Sequence, residues 1–270
     1  MFANKFVTVI AIAIILALAS CKKEKSDIIS ANNIQINSDV ELLKIYNFTN
    51  TKVEGSFAYN STGNFASQSF ARNNSFSGTF HSSSAMSNFG TIQKGKLLKI
   101  GDEIIVPNGN NVYVKNYTTS DPVWGTIKEI SFQATELATI VKTNFRIPKL
   151  IEIENYNALL VGEQKLTAGG IVKVKVDNGN IRGIIVSVEY QPAYNDSLRQ
   201  AGFTLPFTNA EVQNDDGSIE LSKTLFNNIP AKCLYKLTIG RVNFQIIKAT
   251  DGKKYSIYSY VNLSNFYTNR

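Results

Sequence analysis

Apolar positions follow three different rhythms along the chain. From Phe6 to Ala19 they form an almost unbroken run behind Lys5, closed by Leu18-Ala19-Ser20-Cys21. A positive start, an apolar middle and small residues at the end describe a cleaved secretory leader over residues 1–20. The run falls short of the ~20 apolar residues that a spanning helix needs. Over residues 21–38, Lys, Glu, Ser and Asn dominate, with a few isoleucines, which is the composition of a flexible tether. From Val40 onward, apolar and polar residues alternate in short stretches broken by Gly, Asn, Asp and Pro, a pattern of strands and turns.

In residues 39–145 the alternation places Phe57 and Tyr59 on one face of a half-buried strand. Ser75 to Phe80, Lys96 to Ile100, Glu103 to Val106 and Val112 to Val114 read as further strands, with a hairpin turn at Gly101-Asp102. Ala134 to Lys142 carries Leu137, Ile140 and Val141 at helical spacing and predicts a short helix. Pro148 opens a second region, 146–270. Its expected strands are Lys149 to Ile153, Ile171 to Val176, Gly183 to Tyr190, Cys233 to Arg241, Val242 to Ala249 and Lys254 to Leu263. Asn178-Gly179 carries a hairpin signal, and Asp251-Gly252 a turn. The prediction is an all-β protein: a leader, a tether, an N-terminal β-rich domain and a C-terminal β domain. The 250 residues left after cleavage suffice for two such domains.

The net charge of +7, or +6 once Lys5 leaves with the leader, is dispersed. The one cluster, Lys22-Lys23-Glu24-Lys25, adjoins the cleavage point, where each basic residue adds about 1 kcal/mol of attraction to anionic lipid. It belongs with membrane attachment, and export excludes a nucleic-acid partner. Of the two cysteines, Cys21 stands at the new amino terminus and Cys233 lies in a strand, where a small buried hydrophobe is expected.

Leu18-Ala19-Ser20-Cys21 resembles a bacterial lipobox, and Cys-Lys-Lys with the Asn-, Lys-, Ile- and Tyr-rich composition resembles Bacteroidota lipoproteins. The resemblance implies cleavage after Ser20, acylation of Cys21 with palmitate-type chains, and attachment to the outer membrane on its periplasmic or surface face. Asn214-Asp215-Asp216-Gly217, the turn Ser222 to Phe226 before Ile229-Pro230, and Leu234 to Arg241 resemble the Ig-like or fibronectin-III-like sandwich that ends many such lipoproteins. The resemblance implies a fold more than a function. Asp196-Ser197-Leu198 resembles the O-glycosylation motif of the same phylum and implies Ser197 as an acceptor.

Catalytic signatures fail at named residues. Gly90 to Leu97 approaches a P-loop, but Leu97 lacks the metal-binding hydroxyl and the segment reads as strand. Asn214, Asp216 and Gly217 suggest a calcium loop, yet Val212 and Lys223 stand where an EF-hand needs acids. Asp215, Asp216 and Glu220 remain as hard oxygen donors for another kind of calcium site. There is no Gly-x-Ser-x-Gly elbow, and the single His81 leaves one imidazole for any triad, so it reads as a surface or strand residue. Tyr113, Tyr117 and Trp124 could stack on a sugar, although most Phe and Tyr of a β protein without disulfides must fill its core. The expectation is a non-enzymatic, cofactor-free lipoprotein that binds a glycan or protein at the cell surface. The alternatives are an assembly subunit pairing through strand edges and, last, a carboxylate-based glycan-active enzyme.

Overall fold

The computed structural model describes residues 52–64, 72–85, 91–155, 166 and 168–268. Cys21 and the whole leader and tether lie outside the described residues, among which no helix is long and apolar enough to cross a membrane. Strand is the main regular structure of the described residues and helix is almost absent, as the alternation predicts.

An eight-stranded sheet forms the body. Its order is β11 (Phe207–Gln213), β10 (Ile184–Tyr190), β13 (Leu234–Lys248), β14 (Lys254–Thr268), β1 (Lys52–Asn64) and β2 (Arg72–Ala85). The far side of β2 is shared by β3 (Ile92–Gln93) and β6 (Tyr113–Tyr117). All neighbours are antiparallel except β1 and β14, which run parallel from Ser56 beside Ser256 to Asn64 beside Ser264. Strand β14 comes from the second region and β1 from the first, so one sheet passes through both. A second sheet orders β5 (Glu103–Ile104), β4 (Leu97–Ile100), β7 (Ile127–Gln133) and β8 (Val141–Arg146). A two-stranded ribbon pairs β9 (Ile171–Lys173) with β12 (Ser218–Glu220).

Two cores lie along this sheet. One is aromatic: Phe57, Tyr59, Phe76, Phe80, Phe132, Phe145 and Tyr255 pack with Leu98 and Ile130. Phe132 stands 4.7 Å from both Phe57 and Tyr255, ring centre to ring centre, and Phe80 meets Phe57 edge-on at 5.4 Å. These separations suit the ring quadrupoles. Gly95 belongs to this packing, since a Cβ there would sit 2.1 Å from the Phe80 ring. The other core is aliphatic: Val172, Val174, Val186, Val188, Leu237, Ile239 and Val261 pack with Ile151, Ile153 and Leu221.

The chain passes between the cores through Ile147 to Ile153, with Ile147 in the first and Ile151 in the second. Backbone groups of such a crossing need partners away from water. Arg241, wholly buried on β13, donates to the carbonyls of Lys149 (3.3 Å) and Leu150 (3.1 Å). Arg72 donates to the carbonyl of Ile151 and to Ser61 Oγ. Burial lowers the Arg72 pKa to about 10, offset in part by Glu152. Asp177 accepts from the Lys149 amide at 2.8 Å, and Asn243 Nδ2 donates to the Arg146 carbonyl at 2.7 Å. The buried charges thus satisfy the backbone of the crossing.

Four local expectations are corrected. Residues 134–140 form bends and turns rather than a helix, and Leu137 is fully solvated. Helical spacing there had no neighbouring face to bury against, and Val141 begins β8 instead. Lys149 to Ile153 forms no strand; among the described residues its one ladder contact is the bridge between Ile153 and Val174. Asn178-Gly179 does turn, with Asn180 N donating to the Asp177 carbonyl at 2.8 Å, but it does not close a hairpin. The strand before it pairs with β12 and the one after it with β11 and β13. Cys233 to Arg241 and Val242 to Ala249 fuse into the single fifteen-residue β13.

Candidate interaction surface

Strand β11 ends the large sheet. It pairs residue by residue with β10, from Phe207 beside Tyr190 to Gln213 beside Ile184, without a bulge. Among the described residues its backbone makes no ladder beyond β10. One face of the strand is occupied: Asn209 Nδ2 donates to the carbonyls of Leu225 (3.0 Å) and Asn227 (2.6 Å), Glu211 accepts from Ser222 Oγ (2.6 Å), and Gln213 Oε1 accepts from the Glu220 amide (3.0 Å). Alternation makes this possible, because Asn209, Glu211 and Gln213 share a side. These bonds tie β11 to residues 220–227, and among the described residues no strand pairs with its outer edge. It carries no Lys, no Pro and no bulge, the usual guards against pairing with another chain.

The two ends of this edge differ. At its start, residues 191–206 loop out with a short helix α1 (Asp196–Gln200). Tyr194, Phe203 and Leu205 are exposed on the loop, Leu205 at 77%. Tyr194 meets Phe266 of β14 edge-on at 5.1 Å, and Phe266 is itself exposed. The loop is pinned beneath them: Asn195 accepts from the Leu234 amide (2.7 Å) and donates to its carbonyl (2.9 Å), and the Tyr190 hydroxyl donates to the Phe203 carbonyl (3.0 Å). The apolar side chains are therefore presented on a fixed base. Beyond the other end of β11 lies an open groove of about 520 Å³, lined by Val212, Gln213, Asn214, Asp216, Ser218 and Glu220. Asp216 and Glu220 are solvated there.

The residues singled out from sequence are dispersed. Ser197 sits exposed on α1, on the same loop as Tyr194. Asp215 does not join Asp216 and Glu220: both its oxygens face the Arg241 guanidinium at 2.7 and 2.8 Å, and its side chain is 2% exposed. Among the described residues no group of three or more His, Cys, Asp or Glu could hold a metal. Tyr113 is buried, donating to the Gly95 carbonyl at 2.8 Å, so it cannot belong to a sugar platform. Tyr117 and Trp124 meet edge-on at 6.3 Å and are half-buried against the core. Burial pushes the Tyr117 phenol up to about 12. Cys233 is buried in the aliphatic core, and that burial pushes its thiol up, away from the reactive thiolate.

His81 is on a strand but not on the surface: it is 2% exposed on β2. There it lines a cavity of about 190 Å³ with Glu54, Lys253 and Tyr255, beside the bulge where β1 and β2 slip register between Val53 and Gly55. Bulges re-aim side chains in this way. The sequence marks the edge of β11 only by the alternation of Thr208, Ala210 and Val212 with Asn209, Glu211 and Gln213, which says nothing of its place at the rim of the sheet. No family model, no curated protein and no solved structure matches this chain.

Proposed function

We propose that this chain is an exported, lipid-anchored binding module that captures a protein segment by strand addition along β11. The observation that carries the reading is the open seven-residue edge of β11, bounded by the exposed Tyr194, Phe203 and Leu205. An extended segment laid on such an edge gains a row of main-chain hydrogen bonds, while side-chain pockets at alternate positions select its sequence. The apolar loop would favour hydrophobic residues at one end of the segment. A protein partner is favoured over a glycan because Tyr113 is spent in the core. The reading joins the binding module to the assembly subunit: either would engage its partner along this edge.

The aliphatic core between the large sheet and the β9–β12 ribbon supports a sandwich-like reading of residues 146–270, with β14 also tied to β1. Attachment rests on Cys21. One myristoyl chain holds a protein only marginally, at about 0.8 kcal/mol per buried methylene, and two or more acyl chains make release slow. Cys21→Ala is expected to abolish incorporation of a fatty-acid probe in cells, and persistent labelling would refute the anchor.

The edge is tested by placing a photo-crosslinking amino acid at the half-buried Val212 of β11 in the full-length protein in cells. Discrete protein adducts are expected there and not from the same group at Leu137, which is fully exposed on the turn between β7 and β8. Leu205→Asp should reduce the Val212 adducts at least tenfold. Equal adducts from both positions, or none from Val212, would reject strand addition.

A further inference from the structure

We infer a small oxyanion site, for phosphate or carboxylate, in the cavity where the chain enters β10. This cavity, about 120 Å³ in volume, is lined by Arg146, Pro148, Gly179, Asn180, Ile181, Arg182 and Asn243. Tyr190 closes the opposite end of the seven-residue strand, so the cavity lies roughly 20 Å from the apolar loop.

Three features point to an anion. The first is charge. Two guanidiniums face the cavity, and among the described residues no carboxylate lines it. Arg146 is paired with the buried Asp177 and Arg182 is held by Asn243, at 3.3 Å from its Nε to Oδ1, and stacked over the Phe244 ring at 3.8 Å. The two arginines and Asp177 together leave one positive charge. The second is an unmet donor. Arg146 gives one Nη to Asp177 and the other to the Gly125 carbonyl (3.3 Å), but its Nε is buried and has no acceptor among the described residues. Buried donors are almost always satisfied, and an unsatisfied one marks a place where an ion or water belongs. The third is a cradle. A Cβ at Gly179 would lie 2.1 Å from Arg146 Cζ, so the guanidinium rests directly on the Gly179 backbone, and only glycine leaves it there.

Volume fits the same conclusion. At about 30 Å³ per water, the space holds roughly four waters or one small oxyanion. Guanidinium forks match the paired oxygens of phosphate and carboxylate and bind them more strongly than neutral donors do. Asn243 fixes the arrangement by receiving Arg182 on its oxygen and donating to the Arg146 carbonyl at 2.7 Å.

The test is a titration of the full-length protein in detergent with sodium phosphate and, separately, sodium acetate, each against sodium chloride at matched ionic strength. Melting temperature and isothermal heats are read. A saturable response to phosphate or acetate that chloride lacks is expected, and whichever anion gives it names the source. Arg182→Gln should weaken that response at least tenfold. Because Arg182 also covers Phe244, Ile181→Glu serves as a second variant: Ile181 is 86% exposed at the cavity wall, and a carboxylate there should repel the anion while leaving the circular dichroism spectrum unchanged. No response beyond chloride would mean that waters alone satisfy Arg146. A response undiminished in a folded Ile181→Glu protein would place the anion elsewhere. Either outcome overturns the proposal.

Discussion

Asp215→Ala is expected to cost this protein about 3–5 kcal/mol, because it would strand a charge in the interior. Arg241 has no solvent exposure, and its Nε and Nη2 reach the two oxygens of Asp215 at 2.7 and 2.8 Å. The pair does more than cancel charge. Arg241 also donates to the carbonyls of Lys149, Leu150 and Lys175, while Asn180 Nδ2 donates to Asp215 at 2.8 Å. Exchanging a simple buried pair for apolar residues can be neutral. Here the double variant Arg241→Met with Asp215→Leu should keep most of the loss, since three carbonyls would be left without their donor. Urea unfolding of the full-length variants measures both. A single-variant loss below about 1 kcal/mol, or full recovery in the double variant, would show that the seam is incidental.

Phe57→Ala should destabilise by a similar amount, about 3–5 kcal/mol, for an unrelated reason. Phe57 is fully buried, and its ring touches Phe80 and Phe132, so truncation opens a void that rigid aromatic neighbours cannot fill. Phe57→Leu, which leaves a smaller void, should lose much less. At about 2–4 °C per kcal/mol for a domain of this size, the alanine variant should melt some 10 °C lower. The two variants together examine cooperativity. Phe57 belongs to the aromatic core and Asp215 to the seam beside the aliphatic one, yet β14 supplies Tyr255 and Ile257 to the first and Val261 and Leu263 to the second. Both substitutions are therefore expected to lower one shared transition. Two separate transitions, each moved by only one substitution, would show that the cores unfold independently.

Strand β13 shows how far periodicity reaches. Tyr235, Leu237 and Ile239 alternate toward the aliphatic core, and then the buried apolar positions change parity to Val242, with Phe244 and Ile246 following on the reverse face. Read alone, the change of phase looks like the end of one strand and the start of another. In the structure the strand continues and the buried face changes along its length, while Arg241 and Asn243 occupy the first face where the two cores meet. A polar residue at a core-facing position is a break in pattern until its partners are visible. Asp215 is the same case, since a turn rich in Asn and Asp resembles a solvated ligand loop until Arg241 is found against it.

Local chemistry, written in neighbouring residues, was sufficient for the strand-rich class, the hairpin at Gly101-Asp102, the turn at Asp251-Gly252 and the burial of Phe57, Tyr59 and Cys233. Alternation and turn preference act over a few residues, so a chain displays them before it folds. Pairing across the chain decided the rest: β14 beside β1, β11 left at the rim, His81 turned inward at a bulge, and two arginines gathered on a small cavity. Each of these depends on which distant segment arrives, and that is settled by the joint burial of many side chains rather than by any stretch of sequence alone.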